Sequence, residues 1–399
     1  MPLTNARDRY GAVTKTFHWL IALLILTLIP LGLIANYLPY ETSEQLATKA
    51  WLFSLHKTLG VTAFAVAVAR ILWAVTQTKP THLHPERKLE TFAAETVHWL
   101  LYASLVIVPL SGWIHHAAAS GFAPMWLPIG QDLPLVPKSE SLSHVFAQIH
   151  EIATHVLEAA LALHILGALK HHFIDRDSTL RRMWFGTTTA TSPGGAPVAH
   201  RSALAATAIW AVAIAFGAGL GLSAGEDARP GTPAALADVQ SDWQVQDGTL
   251  SIVVNQFGSD VTGSFADWTA DITFDETVQN GISGAVEATI SIGSLTLGSV
   301  TNQAMGPDFF NVDAFPTATY IAEITSTSET TVARGTLTIK DQSVPLDLPF
   351  DLTIDGMTAV MRGSTTLDRR DFNIGDTMND ESSLKFPVDV QIELTATRN

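Results

Sequence analysis

The sequence predicts a membrane-embedded, all-α bundle of helices followed by an all-β antiparallel domain. Hydrophobic residues make up 47% of the 399 residues and charged residues only 15%, against about 25% charged in a typical soluble protein. Residues 1–237 carry 16 basic and 14 acidic side chains, whereas residues 238–399 carry 7 and 24. All 14 histidines lie at or before His200, so the apolar half is also the histidine-rich half.

The composition also excludes several classes of function. Because the chain has no cysteine, it has no disulfide, no thiolate-bound iron–sulfur cluster and no cysteine-linked cofactor. The acidic C-terminal half lacks the basic surface that nucleic-acid binding requires, so no nucleic acid is expected as a partner. Any redox cofactor must be held by other ligands.

Five segments have the roughly 20 mostly apolar residues that cross a bilayer. They are Phe17–Tyr37, Trp51–Val75, Val97–Ala119, His144–Leu169 and Ser202–Gly225. Basic residues concentrate in the N-terminus and in the second and fourth loops, whereas the first and third loops hold only Lys49 and Lys138. This asymmetry predicts a multi-pass membrane protein with its N-terminus inside and its acidic C-terminal domain outside.

The fifth segment has a second interpretation. A basic residue, an Ala-rich apolar core and small residues around Ser223–Ala228 are also typical of a secretory signal peptide. Because the segment is internal, we interpret it as an uncleaved tether, with cleavage as the alternative.

A two-residue period begins after a linker at Gly225–Ala237, which is rich in Pro, Gly and Ala. Eight short runs rich in Thr, Val and Ile are predicted as strands. They are Leu250–Phe257, Asp267–Phe274, Gly284–Ile292, Thr319–Ile324, Val332–Ile339, Leu346–Ile354, Thr358–Thr366 and Leu384–Leu394. No helical pattern intervenes, which predicts an antiparallel sandwich or barrel. Such a barrel either encloses one elongated apolar ligand or is filled by its own side chains.

Four histidines form two pairs at matching depths in the predicted bundle. His150 and His164 are 14 residues apart on the fourth span, about 21 Å along the helix and about 40° short of four full turns. His18 begins the first span at the inner depth of His164, and His56 begins the second span at the outer depth of His150. Facing imidazoles are the usual axial ligands of haem iron when no thiolate is present. The spacing therefore predicts two haems, held by His18/His164 inside and by His56/His150 outside.

Further polar residues fall near these predicted sites. Arg70 lies 14 residues after His56, so it either pairs with a propionate of the inner haem or extends to the inner surface. His171 lies seven residues after His164 and is a candidate for a quinone pocket or a propionate, with solvation at the interface as the alternative. His98 is the main rival for the inner iron. Glu158 is a candidate proton relay or ion-pair partner.

The first four spans resemble the bacterial cytochrome b561 family over about residues 8–185. The resemblance is carried by Phe17–Leu20 (FHWL), Leu55–Gly60 (LHKTLG), His150–His155 (HEIATH) and Leu163–Met183 (LHILGALKHHFIDRDSTLRRM). In that family, histidines at these positions ligate two b-type haems. Members pass electrons between membrane quinone and a periplasmic partner, and one branch oxidises superoxide and reduces ubiquinone.

The C-terminal 160 residues resemble the YceI family of periplasmic, lipocalin-like barrels. The matching segments are Val261–Asp275 (VTGSFADWTADITFD), Asp308–Tyr320 (DFFNVDAFPTATY), Gly335–Phe350 and Leu367–Gly375 (LDRRDFNIG). The resemblance implies a bound polyisoprenoid or isoprenoid quinone. Where the family pattern has His and Arg before the DFF segment, this chain has Thr301–Gly306 (TNQAMG).

The sequence therefore predicts three parts: a four-helix di-haem cytochrome at 1–185, a loop with the fifth helix and linker at 186–237, and a β-barrel at 238–399. The predicted function is electron transfer between a periplasmic donor, with superoxide as one candidate, and ubiquinone or another polyisoprenoid quinone in the membrane. The predicted barrel ligand is a polyisoprenoid. The alternatives are an isoprenoid carrier anchored or regulated by the haem bundle, and the cytochrome subunit of a larger dehydrogenase.

Overall fold

The contacts of the chain divide it into two compact units. The computed structural model describes residues 2–119, 121, 123–186, 199–224, 234–237, 239, 241–277, 281–327 and 330–398. One unit comprises Met1–Tyr37, Leu52–Ala118 and Pro124–Glu226, and the other comprises Leu38–Trp51, Ala119–Ala123 and Asp227–Asn399. Most of the predicted loop at 186–198 and of the linker at Gly225–Ala237 lies outside the described residues.

Four helices of the described chain are long and apolar enough to cross a membrane. They are α1 (Ala12–Tyr37), α2 (Ser43–Val75), α3 (Lys88–Ala118) and α4 (Glu140–Phe173). The four corresponding predicted spans are confirmed as helices. A short helix α5 (Thr179–Met183) and a further helix α6 (Ala199–Ala224) follow. The apolar stretch found in α6, Arg201–Gly217, is shorter than the other four, so its role as a fifth span stays a prediction.

The helical unit is held together by small apolar clusters rather than by one large core. One cluster contains at least one side chain from each of α1–α4, namely Ile21, Ile25, Ala67, Leu105 and Leu157. A second cluster joins α3 and α4 to Ala206 and Trp210 of α6. Many large apolar side chains on the outer helix faces are exposed, as expected of a bundle surrounded by lipid.

The described residues of the second unit contain a ten-stranded antiparallel sheet. The strands follow the spatial order β3-β4-β6-β7-β8-β9-β10-β1-β2-β5. Their bounds are β1 Trp243–Gln256, β2 Ser259–Phe265, β3 Trp268–Phe274, β4 Gly281–Ser291, β5 Leu295–Thr296, β6 Thr317–Ser326, β7 Thr331–Ile339, β8 Gln342–Asp355, β9 Thr358–Asp368 and β10 Leu384–Arg398. The sheet curls into a half-barrel with β3 and β5 at its edges, which confirms the predicted lipocalin-like class. A short helix α7 (Thr301–Met305) follows β5.

Two of the ten strands, β2 and β5, were not expected from the sequence. β1 and β2 are joined by a two-residue turn, in which Phe257 and Gly258 both have positive φ and Gln256 pairs with Ser259. This geometry is typical of a type I′ hairpin. The Ser, Asp and Gly residues of β2 resemble a loop in sequence, and β5 has only two residues, too few to produce an alternating pattern.

Candidate functional site

Three histidines meet at one end of the helical unit. The ring centroids of His18 and His164 are 6.1 Å apart, with an interplanar angle of 59°. His98 lies closer to His164, at 5.1 Å between centroids in an edge-on contact. The Nδ1 atom of His98 lies 2.7 Å from the carbonyl oxygen of Ala94, one turn earlier on α3. The structure thus brings the predicted pair together and places the predicted rival beside it.

Two arginines lie next to this histidine cluster. The guanidinium carbon of Arg70 is 5.4 Å from the ring centroid of Tyr102, and Arg70 is close enough to interact electrostatically with His18 and His164. The guanidinium of Arg182 lies 5.4 Å from the ring of Tyr10, a residue that is itself within electrostatic range of Arg70. The two cations therefore flank one region at this end of the bundle.

Arg182 is the candidate site residue that the sequence interpretation missed. It is only 6% exposed. Its Nη1 atom donates to the carbonyl of Thr81, but Nε and Nη2 are buried without a hydrogen-bond partner among the described residues. A buried guanidinium with unused donors is costly unless an anion or another acceptor completes it. Its burial distinguishes Arg182 from its exposed neighbour Arg181, and no sequence pattern signals that difference.

At the other end of the unit, His56 of α2 lies against α1. A Cβ atom built on Gly32 would lie 2.9 Å from Cε1 of His56, so the ring occupies the space that any other residue would need. The Nδ1 atom of His56 is buried and has no hydrogen-bond partner within the described part of the chain. His56 is within electrostatic range of His150, as the predicted outer pair requires.

His150 of α4 is held against α3 by a backbone contact. Its Nδ1 atom lies 2.8 Å from the carbonyl oxygen of Val108, which leaves Nε2 available. A Cβ atom on Gly112 would lie 2.9 Å from Nδ1 of His150. Gly32 and Gly112 thus each leave space for one imidazole of the predicted outer pair.

A buried lysine adjoins the outer histidines. Lys57 is 8% exposed and donates to the Oε1 atom of Gln131. Gln131 is fixed in turn, because its Nε2 donates to the carbonyl of His116 and its own carbonyl accepts from the indole of Trp113. This arrangement fixes the side chain of Lys57 within electrostatic range of His56.

His171 lies in a separate cluster of charged groups that begins where α4 ends. Its Nδ1 atom is 2.8 Å from a carboxylate oxygen of Asp177, and its ring stacks at 6.4 Å on that of His84, which also contacts Asp177. Hydrogen bonds from Lys170 hold the pKa of Asp175 below its ordinary value. Burial raises the pKa of Asp177, but hydrogen bonds from Thr179 and His171 outweigh it and the net pKa is lowered.

Glu90, His171 and Asp175 offer three ligand atoms within 4.8 Å of one another. The ammonium of Lys170 contacts both carboxylates of this group. This cation already neutralises the charge that would attract a metal, so the cluster is better described as an ion-pair network than as a metal site.

The half-barrel contains an apolar cavity of about 200 Å³. Its lining is almost entirely aliphatic and aromatic, and includes Ile252, Phe265, Trp268, Phe310, Leu337 and Val390. The predicted alternative of a barrel filled by its own side chains therefore does not apply to this sheet.

Comparison with known proteins agrees with both halves of this geometry. Residues 9–186 match the family model of prokaryotic cytochrome b561, and residues 243–396 match that of the YceI-like domain. The chain is 30% identical to cytochrome b561 homolog 2 of Escherichia coli over 187 residues, which cover 46% of this chain and 95% of that protein. The chain belongs to the prokaryotic cytochrome b561 family. It is a multi-pass membrane protein in which a YceI-like domain follows the cytochrome.

Two further similarities were found. The probable superoxide oxidase CybB of Yersinia pestis is 22% identical over 44% of this chain and 95% of its own length. Among solved structures, Burkholderia cenocepacia BcnA is 26% identical, covers 38% of this chain and 96% of its own chain, and aligns with a TM-score of 0.36.

Membership of the cytochrome b561 family implies a b-type haem, and the histidines fit one. Metal–imidazole bonds are about 2 Å long and a ring nitrogen lies about 1.2 Å from its ring centre, so two imidazoles on one iron would have centroids about 6.4 Å apart. His18 and His164, at 6.1 Å, meet this requirement. His98 and His164, at 5.1 Å and edge-on, do not. The contact between His150 Nδ1 and a carbonyl is the usual arrangement that orients a metal-binding histidine.

Proposed function

We propose that the chain is a transmembrane di-haem b-type cytochrome that transfers electrons from a periplasmic donor to membrane quinone, beside a tethered barrel that holds an isoprenoid quinone. The observation that carries this proposal is the placement of two sets of imidazoles at opposite ends of α4, 14 residues apart. His18 and His164 would hold the inner iron, and His56 and His150 the outer iron. Haem iron, when bound, accepts and donates single electrons.

The two bis-histidine sites restrict what the protein does. Haems held by two imidazoles each would supply single-electron transfer rather than oxygen chemistry at the metal. Arg70 and Arg182 are suited to hold inner propionates through charge-assisted hydrogen bonds. Lys57 is suited to pair with an anionic group at the outer site.

Superoxide is the donor that the comparisons favour, because a relative is named as a probable superoxide oxidase. Two superoxide anions supply two electrons, and the quinone takes these with two protons to form quinol. His84 and His171, which share Asp177, are a pair of groups able to hold and release protons near the inner end. We therefore propose that His171 belongs to the quinone site.

Superoxide-driven reduction of decylubiquinone by the purified full chain tests this function. We expect quinol formation that stops on addition of superoxide dismutase. A haem-loaded chain that forms no quinol with superoxide would contradict superoxide as the donor. A chain that binds isoprenoid but carries no haem would favour the isoprenoid-carrier alternative, and co-purification with a catalytic subunit would favour the dehydrogenase alternative.

For the domains and topology, we propose the boundaries 1–185, 186–237 and 238–399, with α6 as an uncleaved fifth span in the inner membrane and the barrel in the periplasm. Since the chain has no cysteine, single cysteines test this directly. In intact spheroplasts, we expect a membrane-impermeant maleimide to label Gln391→Cys and not Lys88→Cys, both positions being exposed. Labelling of both after permeabilisation is the control, and the opposite pattern in intact cells would overturn the topology.

The proposed role of Arg182 gives a further prediction. Removing a buried positive charge beside the inner haem makes reduction less favourable, so Arg182→Leu should lower the inner midpoint potential by tens of millivolts. Arg181→Leu, at the exposed neighbouring position, should leave both potentials unchanged. Redox titration followed at the α-band measures this. An unchanged inner potential in a haem-loaded Arg182→Leu protein would exclude Arg182 from the propionate site.

A further inference from the structure

Two glutamine side chains, Gln256 and Gln303, lie in the largely apolar lining of the barrel cavity. Gln256, at the end of β1, is 5% exposed, and its Oε1 atom is buried without a hydrogen-bond partner among the described residues. Gln303, in α7, lines the same cavity, and its Nε2 atom is likewise buried without a partner in the described chain. Buried polar atoms are almost always paired, so one unused acceptor and one unused donor in an apolar cavity point to a polar ligand group.

Gln256 lies at the end of the cavity where Arg369 binds several backbone carbonyls. It pairs with Leu384 across β1 and β10, and Arg369 donates to the carbonyl of Leu384. Arg369 is 2% exposed, and its five N–H groups donate to five backbone carbonyls, those of Ile374, Gly375, Met378, Leu384 and Lys385. This guanidinium is therefore fully used within the protein and has no donor left for a ligand phosphate.

Gln303 is connected to the same end of the cavity. Its carbonyl accepts from the N–H of Gly306, whose carbonyl accepts in turn from the N–H of Phe309. Phe309 packs with Met378, a residue whose carbonyl accepts from Arg369. Phe309, Phe310 and Phe372 all line the cavity, and aromatic side chains favour contact with a planar ring.

We propose that Gln303 and Gln256 form a headgroup subsite for a neutral isoprenoid quinone and discriminate against polyprenyl phosphates. The Nε2 atom of Gln303 donates to a ring carbonyl of the oxidised form, and the Oε1 atom of Gln256 accepts from a ring hydroxyl of the reduced form. Neither amide neutralises a phosphate, and Arg369 has no free donor. Gln303 lies in the segment Thr301–Gly306, where the sequence departs from the YceI family pattern. This inference rests on the proposed binding of isoprenoids by the barrel and specifies their chemistry.

Three probes with the same 20-carbon tail test the subsite: ubiquinone-4, geranylgeraniol and geranylgeranyl phosphate. The purified full chain is equilibrated with equimolar pairs of probes, and protein-bound lipid is extracted and measured by mass spectrometry. We expect ubiquinone-4 to be bound at least about tenfold over geranylgeranyl phosphate. Gln303→Leu should weaken ubiquinone-4 binding about five- to tenfold, the effect of one buried hydrogen bond, with geranylgeranyl phosphate unchanged.

A second variant separates the loss of a hydrogen bond from a general loss of packing. Gln256→Leu should weaken the reduced ubiquinol-4 about fivefold and leave oxidised ubiquinone-4 unchanged. Gln391→Leu, on the exposed face of β10, is the control and should alter neither. Retained geranylgeraniol binding shows that the variant cavities are intact. If all probes bind and Gln303→Leu does not change their ratio, the subsite is wrong; if no probe binds the wild type, the isoprenoid proposal itself fails.

Discussion

Replacing His150 with alanine should remove the outer haem and leave the inner haem in place. The neighbouring His115 is held by the carbonyl and hydroxyl of Ser143 and is not free to replace His150. The haem content of purified His150→Ala should therefore fall from two to one per chain. Superoxide-driven quinone reduction should fall at least about 100-fold, since even changes to residues that merely orient a metal ligand cost 10–100-fold.

The matched control for this prediction is His155→Ala on the same helix. His155 is exposed and pairs with Glu158, so its loss should leave both haems and the activity in place. Haem loss equal to that of His150→Ala would mean that any change in α4 disturbs the bundle. Two haems retained in His150→Ala would exclude His150 as an axial ligand.

Gly112→Leu should produce nearly the same defect without changing any ligand. A Cβ at position 112 would lie 2.9 Å from Nδ1 of His150, closer than side-chain packing allows. The ring cannot retreat without breaking its contact to the Val108 carbonyl at 2.8 Å. We expect the outer haem to be lost on purification or its affinity to fall about 10–100-fold, with a normal inner α-band.

The control for this prediction is Gly219→Leu in α6, where a Cβ would meet nothing within 4 Å. This variant should retain two haems. Gly32→Leu should repeat the Gly112→Leu result, because its Cβ would meet His56 at the same distance. A Gly112→Leu protein with unchanged outer haem affinity would show that His150 is free to move and that the space left by Gly112 has no role in haem binding.

Much of this architecture could be predicted from the sequence because hydrophobic length and alternation are local signals. The first four spans and eight of the strands fall where apolar runs and two-residue periods indicate them. Depth counting along α4 anticipated that His18 would meet His164, since helical rise is fixed. The strand β2 was not predicted because a two-residue turn leaves no gap between strands, and its Ser and Gly residues have low strand propensity.

The details around the predicted ligands could not be derived in the same way. Gly32 and Gly112 resemble ordinary small residues of membrane helices, and only the three-dimensional contacts show that each faces an imidazole. Arg182 and Arg181 are the same residue type, and how α5 packs decides that Arg182 is buried and Arg181 exposed. Gln303 and Gln256 are 47 residues apart, and only the curl of the sheet places both in one cavity. Such features depend on tertiary contacts rather than on a repeating pattern.

Haem content per chain, measured by pyridine haemochrome on the detergent-purified full chain, tests the central claim most directly. A dithionite-reduced minus oxidised spectrum on the same sample reports the spin state. We expect two b-type haems per chain with low-spin α-bands, as two bis-histidine sites require. A single haem per chain would contradict one of the two pairs, either His18 with His164 or His56 with His150. A well-folded chain without haem would contradict the cytochrome function itself.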